Sequence, residues 1–279
     1  MREPAENAQL ALLLEVAGTP KPGNVDRRRE YDDLRFEHFL AGAVGARRGL
    51  DLAAKGTQIG RAFERGVAGM AEQTAGNTQF GALLLLTPLV SAAATDRLSP
   101  EGCAAIVDAT TVADACDFYR SFDHVDVAVD DPPANLDAFD VRRGSAAVGA
   151  IREKGVTLAD VMDWAEARDG IAAEWTNGFE RSFGAATWFE GAATDRSIGR
   201  RTSNVFLRLL AEEPDTFVVT RNGREIAAEA SQRAREVLDG EADPDALAEE
   251  FVRRDINPGT TADLTAAALF IALERGLEV

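Results

Sequence analysis

The chain has 279 residues, 46% of them hydrophobic, which is enough apolar material to bury a sizeable core and argues against global disorder. Its 30 basic and 47 acidic residues give a net charge of −17, which excludes the basic stripe that a nucleic-acid or anionic-membrane partner requires. Cys103 and Cys116 are too few and too far apart for a disulfide framework or a zinc site, and MREPAENAQL lacks a basic-then-apolar leader, so a reducing cytoplasm is expected.

Lysine occurs only at positions 21, 55 and 154. An acidic, lysine-poor surface fits a salt-rich cytoplasm, where screening offsets self-repulsion; a composition bias of the genome is the alternative.

Helical periodicity dominates from end to end and predicts one all-α domain over 1–279. In PAENAQLALLLEVAG, Leu10, Leu13, Leu14 and Ala17 share a face and Gly18 ends the helix. Residues 35–73 give one or two helices with small residues suited to close packing. FGALLLLTPLVSAAA, residues 80–94, is too short to span a bilayer and contains Pro88; it is expected as the central buried helix. Ser99 and Pro100 open the next helical stretch. The acidic, proline-bearing segment 123–144 is a surface connection, and residues 157–192 resume as two helices, with Thr157 and Asp160 forming a capping box. DTFVVTRNGREI, residues 215–226, is the one stretch that could pass for a hairpin. Helical patterns then run to the C-terminus, and there is no fixed-period repeat.

Phosphate-loop and nucleophile motifs are absent, and His38 and His124 are isolated, one on an amphipathic helix and one in an acidic loop. Three helix-junction segments remain. EVAGTPKPGNVDR carries Glu15, Lys21, Asn24 and Asp26 on a turn stiffened by Pro20 and Pro22, with Gly23 permitting close backbone approach. TAGNTQFG places Asn77 and Thr78 before the buried helix, where free amides suit a phosphate oxygen. In DINPGTTADLTAAALF, Gly259, Thr260 and Thr261 open the last helix and Asp263 falls in its first turn. Each segment alone also reads as an ordinary turn or helix cap.

Together, EVAGTPKPGNVDR, GNTQFG and NPGTTADLTAAALF resemble, in that order and at similar spacing, the three signature segments of the triphosphoribosyl-dephospho-CoA synthase family. Those are Glu-Val-x-x-x-Pro-Lys-Pro-Gly-x-Val-Asp, Asn-Thr-x-x-Gly and Pro-Gly-x-x-Ala-Asp-Leu. The resemblance implies an all-helical enzyme that moves the triphosphoribosyl group of ATP to the 2′-hydroxyl of dephospho-CoA and releases adenine. Gln79 and Phe80 stand where bacterial members often carry His and Lys, and DGIAAEWTNGFERS looks closer to an archaeal branch; Arg181 within it is a candidate compensating cation.

Glycosyl transfer of this kind needs a carboxylate beside developing positive charge, a base for the hydroxyl, and cations for the triphosphate. The resemblance therefore implies Lys21, Asp26, Asp263 and Glu174 as catalytic residues. It gives Glu15, Pro22, Gly23, Asn24, Asn77, Thr78, Gly259, Thr260 and Thr261 as nucleotide-binding residues, and Asp26 and Asp263 as Mg²⁺ ligands. A related transferase acting on another acceptor in cofactor biosynthesis, and a helical nucleotide-binding protein without turnover, stand as alternatives. The oligomeric state is left open.

Overall fold

The computed structural model describes residues 2–132, 134–190 and 197–279. Among them are fifteen α-helices: α1 Pro4–Ala17, α2 Phe36–Ala54, α3 Ile59–Met70, α4 Phe80–Ala94, α5 Pro100–Asp108, α6 Val112–Ser121, α7 Val148–Lys154, α8 Leu158–Ala165, α9 Gly170–Asn177, α10 Glu180–Glu190, α11 Ile198–Glu212, α12 Thr216–Asn222, α13 Arg224–Leu238, α14 Pro244–Arg253 and α15 Gly259–Glu274. The expected all-α fold is what forms: no strand exists among the described residues, and a single isolated bridge joins Asp26 to Arg29. No described helix is long and apolar enough to cross a membrane.

Two helices are apolar nearly all round, so both must be buried. They are α4, the expected centre, and α15, and they pack against each other, with α1 against both. Helices α2 and α3 lie so close that a Cβ at Gly45 would run into the Gly69 carbonyl oxygen, which is the close packing that the small residues anticipate. Pro88 inside α4 has no N–H for the carbonyl four residues back. The Trp175 indole nitrogen of α9 donates to that Leu84 oxygen at 3.2 Å, so the missing bond is replaced from a neighbouring helix. A second apolar cluster, built on Phe206, Leu210, Val218 and Phe251, joins α11 to α14.

Capping residues stop and start the helices as expected at Gly18, Ser99 and Thr157. Two expectations are corrected. Residues 157–190 form three helices, not two, because Asp169 caps a fresh start at Ile171 and Ala172; positions 191 and 192 lie outside the described residues. The hairpin-like stretch is helical: Asp215 caps α12 through the Val218 amide, and Gly223 at φ +93° separates it from α13. His38 receives the Arg35 amide at the start of α2, His124 pairs with Glu64, and both cysteines are buried free thiols.

Candidate active site

Glu15 lies in the last turn of α1 and is buried, and the chain then turns through Gly18 and a cis Thr19–Pro20 bond. That turn sends Lys21 back beneath the helix. Lys21 is fully buried, paired with Glu15 Oε1 and donating to Asn24 Oδ1 at 2.9 Å. A buried ammonium needs such partners, since each charge would otherwise be stranded in a poor solvent. Asp26 organises the turn. Its carboxylate accepts from the Thr19 hydroxyl (2.9 Å) and from the amides of Lys21 (3.1 Å), Arg28 (2.7 Å) and Arg29 (3.0 Å). Both oxygens are thereby committed to its own loop.

The first segment is fastened to the third. Gly23, at φ +72°, sits where any Cβ would collide with the Ile256 carbonyl, so no other residue fits. Asn24 Nδ2 donates to Asn257 Oδ1 at 3.0 Å. At the second segment, Asn77 Oδ1 accepts the Phe80 amide at 3.1 Å and opens α4, and Phe80 packs into Phe63 and Phe122. Asp263 sits in the second turn of α15, one turn later than expected, and lies against Gly81, where a Cβ would strike its carboxylate. Thr260 bonds Thr216 Oγ1 at 3.0 Å, while Thr261 gives its amide and hydroxyl to Asp215 Oδ2, each at 2.7 Å.

These segments border one cleft of about 300 Å³. Its polar end carries Glu15, Asn24, Asn77, Thr78, Gly259, Thr260 and Asp263, joined by Asn257, Asp169 and Gln79. Its other end is aromatic, with Phe118, Tyr119, Phe122, Phe139 and Trp164. Arg168 is the one basic residue among the described residues that line it, and it donates to the Asp131 carbonyl at 3.1 Å.

The remaining expected residues stand behind the wall. Lys21, Pro22, Gly23, Asp26 and Thr261 do not line the cleft; Lys21 holds Glu15 and Asn24, which do, Asp26 fixes the turn that carries Lys21, and Thr261 is tied to Asp215. Glu174 is buried elsewhere. Its carboxylate accepts the Arg181 amide (3.0 Å), the Ser182 amide (2.8 Å) and the Ser182 hydroxyl (2.5 Å), tying α9 to the start of α10. Arg181 itself pairs with Glu213 and donates to the Leu209 carbonyl.

The electrostatics of the polar end are lopsided. Burial pushes the Glu15 carboxyl above its ordinary value, and Lys21 pulls it back part of the way. Asp263 is raised well above the carboxylate range by burial and then by the negative charge of Glu15, with Asp215 and Asp169 adding to it and only the Ala82 amide opposing. The three charges that act most on Asp263 are all negative, which suits a cation at this end of the cleft. No group of three or more His, Cys, Asp or Glu poised for a metal exists among the described residues, so an ion here would need ligand oxygens as well.

A family model described as ATP:dephospho-CoA triphosphoribosyl transferase matches residues 1–278. A crystal structure of a chain from Archaeoglobus fulgidus, provisionally assigned as a triphosphoribosyl-dephospho-CoA synthase, superimposes with a TM-score of 0.71 at 28% identity; the match covers 88% of this chain and 100% of that one. None of the curated proteins matches this sequence significantly.

Proposed function

The chain belongs to the ATP:dephospho-CoA triphosphoribosyl transferase family, and we propose that it carries out that transfer in the cleft between α1, α4 and α15, with Mg²⁺ and with release of adenine. The single observation that carries the reading is the convergence of the three segments, far apart in sequence, on the polar end of one cleft. In the reaction, the acceptor 2′-hydroxyl oxygen bonds to C1′ of ATP, the C1′–N9 bond breaks, and adenine leaves with a proton.

Glu15 is the proposed base. Burial lifts its pKa and Lys21 holds it through Oε1, so Oε2 is the oxygen proposed to take the hydroxyl proton. As a carboxylate beside C1′ it also opposes the positive charge that develops on the ribose. Lys21 and Asp26 position this base and do not touch the nucleotide, a different role from direct phosphate contact. Asn24, Asn257 and Thr260 orient the ribose and phosphates by neutral hydrogen bonds. Asp263 and Asp169 would hold the Mg²⁺, which supplies charge neutralisation to the triphosphate in a wall otherwise rich in acids.

Calorimetric titration of ATP with and without Mg²⁺ tests this. Binding should need Mg²⁺ and weaken by about tenfold or more in Asp263→Asn, the loss of one charge-assisted contact. Asp26→Asn should keep the Mg²⁺ requirement; its loss in that variant alone would return the metal to Asp26.

A further inference from the structure

Of the side-chain amides lining the polar end, Asn24, Asn77 and Asn257 each make at least one hydrogen bond, and Gln79 makes none. Asn24 bonds Lys21 and Asn257, and Asn77 caps α4. Gln79 is 4% exposed and lines the cleft, yet neither its Oε1 nor its Nε2 has a hydrogen-bond partner among the described residues. Its backbone is fixed, the amide by Met70 Sδ at 3.2 Å and the carbonyl by the Leu83 amide at 2.9 Å. Room for the side chain comes from Gly42 on α2, where a Cβ would come within 3.3 Å of Gln79 Oε1 and 2.5 Å of Thr78 Oγ1, a second unpartnered buried group. Phe39, one turn earlier on the same face of α2, lines the cleft as well and offers a flat apolar wall.

A buried carboxamide with donor and acceptor both open calls for a ligand edge that presents an acceptor and a donor side by side. A phosphate would use only the N–H group. A secondary amide of a pantetheine arm is trans, with its N–H and C=O pointing opposite ways, and one carboxamide cannot take both. The adenine edge has the required pair: an N6 amino donor beside a ring-nitrogen acceptor, which is how Gln and Asn read adenine in other settings.

We propose that Gln79 is a specificity residue that reads the N6 edge of an adenine base lying beside Phe39. This rests on the proposed function, in which both ATP and dephospho-CoA carry adenine. The test measures binding of ATP and of the 6-unsubstituted purine ribonucleoside triphosphate, each with Mg²⁺, to the wild type and to Gln79→Met. The same pair of measurements is made with dephospho-CoA and its 6-unsubstituted analogue. Wild type should prefer one adenine ligand by about ten- to a hundredfold, and Gln79→Met should erase that preference while melting no lower than wild type. Whichever ligand shows the effect is the one whose base Gln79 reads. Equal preference in wild type and variant for both ligands overturns the inference and leaves the proposed function standing. Failure of wild type to bind either adenine ligand overturns both.

Discussion

Replacing Lys21 by Met separates a residue that positions Glu15 from one that grips phosphate. Side-chain exposure is 0% for Lys21 and 5% for Glu15, so the substitution strands a carboxylate almost shut off from solvent and takes away the donor of Asn24 Oδ1. Breaking a buried pair from one side costs about 3–5 kcal/mol. With an unfolding entropy of about 2.1 cal/mol/K per residue over 279 residues, that corresponds to a melting point lower by about 5–9 °C. The loss should shrink as pH falls and Glu15 takes up a proton, because the pKa of that carboxyl is already raised by burial. The double variant Glu15→Gln/Lys21→Met should recover most of it, giving a coupling of about 2 kcal/mol or more in a double-mutant cycle. Thermal and denaturant melts of the four proteins without nucleotide measure this. A Lys21→Met protein that melts within about 1 °C of wild type, or whose deficit is untouched by Glu15→Gln, would refute the reasoning and return Lys21 to the ligand.

Asp263 and Glu15 both bind protons more tightly in the folded than in the unfolded chain, so stability should fall as pH rises from the ordinary carboxylate range through their raised values. Asp263→Asn should flatten that fall and melt higher than wild type at neutral pH in the absence of nucleotide; melts from about pH 5 to about pH 8 check it. Glu174→Gln would leave one of the donors at the start of α10 facing an NH2 group, so it should cost about 1–3 kcal/mol in chemical denaturation while kcat of the folded enzyme stays near wild type. With a net charge of −17, the melting midpoint should climb across a KCl series; a flat or falling midpoint would leave composition bias as the better account of the acidic surface.

The fold was legible because α4 and α15 are apolar nearly all round and belong in the core, and because Gly18, Ser99 and Thr157 punctuate the chain by local chemistry. Asp169 as a fresh N-cap was missed since a single Asp-Gly step inside a helical pattern is a weak signal until the neighbouring helix is seen. At the site, the three segments carry the pocket-lining Glu15, Asn24, Asn77, Thr78, Thr260 and Asp263. What local sequence does not contain is the direction in which a side chain points. Lys21 and Asp26 have the chemistry of phosphate and metal ligands, but the turn folds both into its own interior. Glu174 lies on a helix next to the right elements and faces the wrong neighbour. Arg168 and the aromatic end arrive from α6 and from the 136–168 region, joined to the motifs only by long-range packing, so no spacing rule could have found them.

The most direct test of the account is to incubate the protein with ATP, Mg²⁺ and dephospho-CoA and to follow free adenine and the adduct of dephospho-CoA together by chromatography and mass spectrometry. Adenine and a triphosphoribosyl adduct should appear in equal amounts, and both should fall by about a hundredfold or more in Glu15→Gln, the variant that lacks the base. ATP bound but no adenine released in the presence of dephospho-CoA, or release undiminished in Glu15→Gln, would contradict it.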